Sequence, residues 1–267
     1  MALELPTLAY DRFGSGDPLV LVHPLGGDRG VWEPVAAELA AHHDVIAVDM
    51  PGFGASPELP PGLPATAANL AAAIRATLDG LDVRNAHVVG NSLGGWVALE
   101  LAKTGRCPSV TGLCPAGFWP KALGPRPEHA RNGARVLVPL LRPLLASAYA
   151  RRLALSGSIA HPERVPATAA YHLVRSYALS PGFARANAEM RKTLFSGFDE
   201  IDAAITLAWG ERDRLVGMPM KPLPATVRTV VLKDCGHVPT WDDPRQVIDV
   251  ILDNVADGAR NERAVSA

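Results

Sequence analysis

The sequence predicts an α/β fold with a mostly parallel central sheet, helices on both faces of the sheet, and an inserted helical segment. Three observations predict it. Short apolar runs without polar alternation are typical of strands that are buried on both faces. Stretches with apolar residues at helical spacing separate these runs, which is the order of a parallel sheet. Between residues 120 and 196, strand-like runs give way to helix-like stretches rich in Ala, Leu, Arg and Pro.

Six strands and four helices make up the predicted sheet region. The strands are Leu19–His23, Asp44–Asp49, Ala86–Gly90, Val110–Cys114, Ile205–Trp209 and Thr229–Leu232. The helices are Trp32–Ala41, Ala67–Leu81, Leu93–Thr104 and Pro244–Val255. The N-terminal stretch MALELPTLAYDRFGSG has no basic region followed by an apolar one, so we expect it to begin the fold and not to be a signal peptide. Residues 257–267 are expected to fray.

The helical segment is expected to be an insertion, because sheet strands lie on both sides of it in the sequence. Its predicted helices are Ala134–Leu145, Ala148–Ser156, Ala167–Tyr177 and Phe183–Leu194. The predicted organisation is therefore a core formed by residues 1–119 and 197–267, with a helical insert of residues 120–196.

Composition and charge exclude several classes of protein. The chain has 267 residues, of which 48% are hydrophobic and 20% charged, with a formal net charge of -1. A nucleic-acid partner would call for a basic excess, and no apolar run reaches the roughly 18 residues that a membrane helix needs. Cys107, Cys114 and Cys235 fit no metal-binding spacing, so we expect reduced thiols in the cytoplasm. We expect no nucleic-acid or membrane partner, and either a monomer or a homodimer.

The stretch VVGNSLGGWVALELA, residues 88–102, places Ser92 among three glycines where a predicted strand becomes a helix. A serine hydroxyl is a poor nucleophile unless it is exposed and given a base. A sharp turn would expose Ser92 at the carboxyl end of a parallel strand, where ligands bind, and side chains at Gly90 and Gly94 would clash in such a turn. The helix behind Ser92 would offer N–H groups to an oxyanion. The alternative is a glycine-rich turn with a serine helix cap.

These residues match the G-x-S-x-G nucleophile elbow, and the chain resembles the α/β-hydrolase superfamily over nearly its whole length. The resemblance implies an acid and then a histidine after later strands. Asp213, in the sequence WGERDRLV, stands in the family's G-x-x-D context; the other acid position, in VTGLCPAGFW, offers no carboxylate. His237, in DCGHVPTWDDP, resembles the family's histidine loop, and no other histidine has the required chain order.

The resemblance also implies an oxyanion hole with two backbone N–H donors, those of Leu25 and Leu93. Leu25 lies in HPLGG, which is similar to the family's His-Gly-x-Gly loop, although Pro24 replaces the first glycine. His23 is then expected to hold the loop by hydrogen bonds. The sequence DMPGFGAS, residues 49–56, matches another family signature and is expected to be a structural turn. The resemblance implies no metal and no organic cofactor.

By the same resemblance, the helical insert is a cap that covers Ser92 and shapes a pocket. The candidate substrate-binding residues are Gly26, Trp96, Phe118, Trp119 and Val238. Further candidates for an apolar wall are Tyr171, Tyr177, Phe183, Met190 and Phe195. The insert also carries Arg126, Arg131, Arg135, Arg142, Arg151 and Arg152, of which a buried one could bind a substrate carboxylate.

The implied function is a serine hydrolase that cleaves a small, largely apolar ester, lactone or thioester through Ser92, His237 and Asp213 and an acyl-enzyme. The expected partner is a small-molecule acyl substrate. A carbon–carbon bond hydrolase, a hydroxynitrile lyase and a perhydrolase side activity stay open, because they use the same three residues. Epoxide hydrolases and dehalogenases are disfavoured because they carry Asp at the position of Ser92. A ligand sensor without turnover is a second class, since fold alone does not fix function.

Overall fold

Seven strands form one sheet in the order β1-β3-β2-β4-β5-β6-β7. The computed structural model describes residues 4–124 and 129–266, with side chains up to residue 261. The strands are β1 Tyr10–Gly14, β2 Pro18–Val22, β3 Asp44–Val48, β4 His87–Asn91, β5 Ser109–Leu113, β6 Ala204–Gly210 and β7 Val227–Leu232. Strands β2 to β7 are parallel, and β1 pairs with β3 in the antiparallel direction. The predicted α/β fold with a mostly parallel sheet is confirmed.

Nine helices accompany these strands in the described part of the chain. They are α1 Glu33–Ala40, α2 Ala67–Gly80, α3 Leu93–Ala102, α4 His129–Leu137, α5 Leu141–Leu145, α6 Ala148–Leu155, α7 Ala167–Leu179, α8 Phe183–Met190 and α9 Pro244–Ser266. Short 3-10 segments cover Arg29–Trp32, Val138–Leu140, Pro162–Arg164, Phe198–Glu200 and Pro239–Trp241. None of the described helices is both long enough and apolar enough to cross a bilayer.

The sheet is apolar on both faces, which explains the uninterrupted apolar runs. Along β2, Val20 and Val22 pack into the core that contains α2 and α3, whereas Leu19 and Leu21 pack into the opposite core that contains α1 and α9. Successive side chains of a strand point to opposite faces. A strand covered by helices on both sides therefore favours apolar residues at successive positions.

Helices α4 to α8 lie between β5 and β6, as expected for a helical insertion into the sheet. The boundaries of the cap at residues 119/120 and 196/197 stay predictions. Arg126 lies outside the described residues. The predicted helix Ala134–Leu145 is wrong: α4 ends at Leu137, a 3-10 segment follows, and α5 begins at Leu141. Pro139 accounts for the break, because proline has no N–H for a helical hydrogen bond.

Two expectations at the ends of the chain need correction. The edge strand β1 was not predicted, because YDRFG is largely exposed and has no apolar run. Its residues pair with β3 from Tyr10 opposite Val48 to Gly14 opposite Asp44. The expected fraying after residue 256 is also wrong, since α9 continues to Ser266.

Candidate active site

Ser92 lies in the sharp turn between β4 and α3. Its backbone angles, φ 56° and ψ -117°, are rare for a residue with a side chain. A Cβ atom at Gly90 would collide with the carbonyl group of Gly94, and one at Gly94 would collide with the carbonyl oxygen of Val22. The two glycines are therefore required by the close approach of strand and helix.

Hydrogen bonds hold this strained turn in place. The backbone N–H of Ser92 donates to the carbonyl oxygen of Leu113 at 2.9 Å, and the N–H of Ala116 donates to the carbonyl oxygen of Ser92 at 2.9 Å. Both partners lie at the end of β5 or just beyond it. The neighbouring strand thus fixes the backbone on both sides of the Ser92 side chain.

Asp213 and His237 meet at the carboxyl end of the sheet, although 24 residues separate them in the sequence. Asp213 follows β6, and His237 follows β7. His237 Nδ1 lies 2.8 Å from Asp213 Oδ2, and both side chains are buried. An ionised carboxylate can only accept, so Nδ1 carries the proton and Nε2 of the neutral ring is left as an acceptor.

The carboxyl group of Asp213 is kept ionised by its neighbours. Burial by itself would raise the pKa of Asp213, but the hydrogen bond and charge of His237 lower it. Its Oδ1 atom also accepts the backbone N–H groups of Leu215 at 2.7 Å and Val216 at 3.0 Å. These interactions outweigh the burial, and the pKa of Asp213 lies below its usual value.

Two residues that the sequence analysis did not single out hold the loop of His237. Asn91 Nδ2 donates to the backbone carbonyl oxygens of Leu113 and His237, each at 2.9 Å. Asp242 accepts three backbone N–H groups, from Gly236 at 2.7 Å, His161 at 2.9 Å and Ala160 at 3.1 Å. In the sequence, Asp242 is visible only as part of the DDP run after His237, which does not predict that it binds backbone N–H groups.

The two expected oxyanion residues belong to different segments, the loop after β2 and the start of α3. Leu93 is the first residue of α3, where backbone N–H groups lack partners within the helix. Leu25 lines the same cavity as Ser92. His23 holds this loop: its Nδ1 lies 2.8 Å from the carbonyl oxygen of Pro24, and its Nε2 accepts the N–H of Met50 at 2.9 Å. Burial lowers the pKa of His23, in keeping with a neutral ring that donates from Nδ1 and accepts at Nε2.

The sequence DMPGFGAS forms a buried turn behind this loop. Asp49 is fully buried and accepts the backbone N–H groups of Arg29 and Ala55, each at 2.8 Å. The Arg29 guanidinium also pairs with this carboxylate. The turn thereby positions the segment after HPLGG.

A cavity of about 1200 Å³ lies between the carboxyl end of the sheet and the inserted helices α4 to α8, which we call the cap. It brings together Ser92, His237 and the predicted contacts Leu25, Gly26, Trp119 and Val238. Cap side chains Tyr177, Phe183 and Met190 also line it. A Cβ atom at Gly26 would touch the rings of Tyr177 and Phe183, so the glycine allows the cap to lie close to the loop.

Two predicted substrate contacts, Trp96 and Phe118, do not line this cavity. The Trp96 ring packs against Gly117, and its Nε1 donates to Glu100 Oε1 at 3.0 Å. Phe118 packs in an aromatic cluster, with ring centroids 5.5 Å from Phe195 and 6.0 Å from Trp209. Both side chains follow strand ends but turn into the core.

Other expectations about the cap are corrected in the same way. Tyr171 and Phe195 are not among the residues that line the cavity. Arg131 is the buried arginine, but its guanidinium donates to the carbonyl oxygens of Tyr177 at 3.0 Å and Ser180 at 2.6 Å. It also stacks over the Phe183 ring, at 4.7 Å from the centroid. Arg131 therefore ties α4 to the end of α7.

Cys114, Asp213 and His237 are the one group of possible metal ligands in the described part of the chain. Asp213 and His237 already engage each other. Burial raises the pKa of the Cys114 thiol, which disfavours the thiolate that a metal would need. All three cysteines are buried and unpaired, and burial also raises the pKa of Cys107 and Cys235 to about 12. These thiols are therefore unsuited to act as the nucleophile in place of Ser92.

The chain is similar to known hydrolases over most of its length. Residues 19–250 match the sequence profile of the alpha/beta hydrolase family. Epoxide hydrolase EphH of Mycobacterium tuberculosis is 30% identical over 215 residues, which cover 74% of this chain and 99% of that protein. Pimeloyl-(acyl-carrier protein) methyl ester esterase of Aeromonas salmonicida is 42% identical over 98 residues, or 37% of each chain.

The fold has close counterparts among solved structures. A bacterial membrane phospholipase A, described as a virulence factor, superposes with a TM-score of 0.73 and 25% sequence identity, over 93% of this chain and 83% of that one. An esterase from Thermogutta terrifontis superposes with a TM-score of 0.69 at 22% identity, over 94% and 93% of the two chains. The second likeness concerns the fold alone.

Proposed function

Because the chain belongs to the alpha/beta hydrolase family, we propose that it is a serine hydrolase that cleaves a largely apolar ester, lactone or thioester. One observation carries the proposal. Ser92, in its strained turn, and His237, which is hydrogen-bonded to Asp213, line the same largely apolar cavity. The three residue types are those of a nucleophile, a base and the acid that orients the base.

In the proposed reaction, Ser92 Oγ attacks the carbonyl carbon while His237 Nε2 takes its proton. Asp213 holds the imidazole through Nδ1 and stabilises the imidazolium that forms. The backbone N–H groups of Leu25 and Leu93 stabilise the oxyanion; losing one such donor costs roughly 10²–10³ in rate. His237 then gives its proton to the leaving group. A water that His237 activates hydrolyses the acyl-enzyme and restores Ser92.

The cavity supports an acyl substrate larger than the small ester that the sequence suggests. Ligand pockets usually have volumes of roughly 300–1,000 Å³, and this one has about 1200 Å³. Leu141, Leu155, Val174 and Phe183 are among its apolar lining residues. We therefore propose a hydrophobic acyl chain as the group that the cavity accepts. The buried, unpaired thiols support a reducing compartment such as the cytoplasm.

Epoxide hydrolysis is the second candidate, because EphH is a relative over three quarters of this chain. Members of the family that open epoxides carry Asp at the position of Ser92. A carboxylate nucleophile forms an ester that water can hydrolyse, whereas a serine attack on an epoxide would leave a stable ether. Ser92 therefore favours acyl transfer. A carbon–carbon bond hydrolase or lyase would use the same three residues, and a sensor without turnover would retain them. The experiment below distinguishes these alternatives from an ester hydrolase.

The test is labelling with a fluorophosphonate, followed by turnover of esters of increasing acyl length. We expect one adduct, on Ser92 by peptide mass spectrometry, and repeated turnover with an optimum at medium or long chains. Ser92→Ala should remove both, and Ser196→Ala, at an exposed serine outside the cavity lining, should remove neither. An adduct without turnover of esters would favour the sensor or a carbon–carbon bond substrate. Turnover of an epoxide by Ser92→Ala would refute the proposal.

A further inference from the structure

We propose that helices α4 to α6 of the cap bind the surface of an anionic lipid bilayer and turn the mouth of the cavity toward it. Binding rests on the cap surface itself, whereas delivery of a lipid-soluble acyl substrate from the bilayer rests on the proposed function. No membrane partner is expected from the sequence, because no apolar run is long enough to cross a bilayer. Binding to its surface depends on a different feature, which is visible only in the fold.

The first observation is a set of large hydrophobic side chains that the cap exposes. Val136 is 79% exposed, Tyr149 71%, Leu153 68% and Leu140 55%. We call the following residues the apolar cap surface: Val136, Leu137, Leu140, Leu144, Tyr149 and Leu153, all of them exposed. Single exposed apolar residues are common. Six within 18 residues of chain, on neighbouring helices of the cap, single out this segment as the candidate for an interaction surface.

Helix α5 shows that this exposure is not explained by the packing of the cap. Leu141 and Leu145, four residues apart, are buried, whereas Leu140 just before the helix and Leu144 are exposed. Leucines thus lie on both sides of this segment, although the rest of the protein covers only one side of it. The outward side of α5 also carries Arg142. Leucines beside a basic residue are the composition of a helix that lies at the surface of a bilayer.

The second observation is the charge of the same segment. Between His129 and Leu155 the sequence contains five arginines and neither aspartate nor glutamate. Arg135 and Arg142 are exposed, and Arg142 also lies over the Tyr171 ring. Arg152 is exposed but pairs with Glu163 at 3.4 Å. Arg131 and Arg151 donate to backbone carbonyl groups. Residues 120–196 carry twelve basic and three acidic residues, against fourteen and twenty-four in the rest of the chain. Basic residues beside apolar ones are the composition that binds anionic lipid surfaces.

The third observation is the position of this surface relative to the cavity. Leu137 and Leu153 belong to the apolar cap surface and also line the cavity, and Leu215, which is half exposed, lines it from the core side. We call these three leucines the cavity mouth. Met218 and Met220, a few residues after Leu215, are exposed as well. A lipid-soluble molecule could therefore pass from a bilayer into the cavity without crossing water.

The charge disfavours a second copy of the chain as the occupant. A two-fold dimer brings the same patch of both copies together. Here such a contact would place arginines opposite arginines with no acidic residue in the segment to offset them, and like charges across an interface are costly. Anionic headgroups are the complementary surface. A soluble acidic protein is the competing occupant, and the experiment separates the two.

Binding is measured with the Ser92→Ala protein, so that the result does not depend on turnover. The protein is sedimented with vesicles of phosphatidylcholine alone or with one third phosphatidylglycerol. We expect binding to the anionic vesicles only, weakened by salt because surface charges are screened. Light scattering reports the oligomeric state in the same buffer, and a poly-glutamate peptide serves as a soluble acidic competitor.

The variants separate the apolar and the basic contributions. Val136→Glu with Leu140→Glu, and separately Arg135→Glu with Arg142→Glu, should each weaken vesicle binding at least about tenfold. Two control variants should leave vesicle binding unchanged. They are Val231→Glu, at an exposed valine on β7, and Arg84→Glu, at an exposed arginine of the sheet domain. None of these residues lines the cavity, so hydrolysis of a water-soluble ester, measured in the Ser92 protein, reports folding of the variants.

The outcomes are distinct. Failure to bind anionic vesicles overturns the inference, as does equal loss of binding in the Val231→Glu control. Binding to poly-glutamate alone would indicate an acidic protein partner, and a dimer abolished by Val136→Glu would indicate a second copy; both overturn it. Vesicle binding without any reaction at Ser92 would support the membrane surface and refute the proposed function. Reaction at Ser92 without vesicle binding would support the proposed function and refute binding to a membrane surface.

Discussion

Asn91 and His237, which are 146 residues apart in the sequence, are joined by a hydrogen bond of 2.9 Å from Asn91 Nδ2 to the carbonyl oxygen of His237. The same amide group donates to the carbonyl oxygen of Leu113 at the end of β5. The residue before the proposed nucleophile thus fixes the backbone of the proposed base. This amide therefore links the turn of Ser92 to the loop of His237.

Asn91→Ala is expected to lower kcat more than it changes KM. The variant leaves the buried carbonyl group of His237 without this donor, at a cost of about 1–3 kcal/mol, and frees the His237 loop to move. The carbonyl group of Leu113 keeps the backbone N–H of Ser92 as a donor. Steady-state kinetics and urea unfolding measure the two effects. Asn69→Ala, which removes an exposed side-chain hydrogen bond to Pro64, is the control. A stable Asn91→Ala protein with unchanged kcat would contradict the positioning role.

Asp213→Asn is expected to reduce kcat by on the order of 10⁴-fold while the fold is kept. The amide can donate to Nδ1 of His237 and so favours the tautomer with the proton on Nε2, which cannot take the proton of Ser92. The measurement is kcat for an activated ester together with a circular dichroism spectrum. Glu211→Gln, in the same loop, tests whether a loss of charge alone is responsible. A similar decrease in both variants would argue against the tautomer explanation.

The stability of the protein should depend on Asp213 in acid. The pKa of Asp213 is lower in the folded protein than its ordinary value of about 3.9 in an unfolded chain. The ionised carboxylate therefore contributes stability above about pH 4, and this is lost as the pH falls through the folded pKa. Urea unfolding from pH 7 downward should show a flatter acid limb for Asp213→Asn than for the unaltered protein. Asp202→Asn, at an exposed site, should keep the slope of the unaltered protein.

Gly90→Ala should prevent folding or destabilise the protein by about 3 kcal/mol or more, because overpacking against a fixed backbone cannot relax easily. The added Cβ atom would meet the carbonyl group of Gly94. Gly80→Ala is the matched change, since a Cβ there has no atom within 4 Å and the residue ends α2. It should be neutral or stabilising by up to about 1 kcal/mol. Thermal unfolding measures both, and equal melting temperatures would contradict the geometry of the turn.

Asp242→Ala should lower kcat in addition to stability, because three backbone N–H groups around the His237 loop lose their acceptor. Asp243→Ala is a matched control: Asp243 Oδ1 accepts the N–H of Gln246 in the first turn of α9. Loss of such a helix cap costs about 0.5–2 kcal/mol but leaves the His237 loop in place. Kinetics and unfolding of both variants are compared. Equal kcat in the two proteins would limit Asp242 to a role in stability.

The sequence predicts the inner strands well and the edge poorly, for a physical reason. Strand β4 is buried on both faces, so its composition alone reveals it, whereas the exposed β1 is held by pairing with β3 and carries charged residues. The proposed nucleophile could be found because its turn demands glycines at fixed spacing. Asp213 and His237 were found through the resemblance and their place after strands.

Side-chain direction could not be predicted in the same way. Trp96 and Phe118 stand near Ser92 in the chain, but the packing of other elements, including Phe195 and Trp209, draws Phe118 into the core. The hydrogen bond from Asn91 joins residues that nothing in the local sequence connects. Contacts of this kind depend on how β4, β5 and the loop after β7 are arranged in three dimensions.

The order of strands in the sheet has a consequence for a chain that is still being made on the ribosome. After β4, each new strand adds to the outer edge in the order β5, β6, β7. The roughly 90 residues between Leu113 and Ala204 take about 5–20 s to synthesise. During that time β5, all of whose residues are buried in the finished fold, is a free edge, and Ser92 exists without either partner. An unfinished chain is therefore harmless as a catalyst but prone to aggregate, and chaperone demand should peak while the cap is being translated.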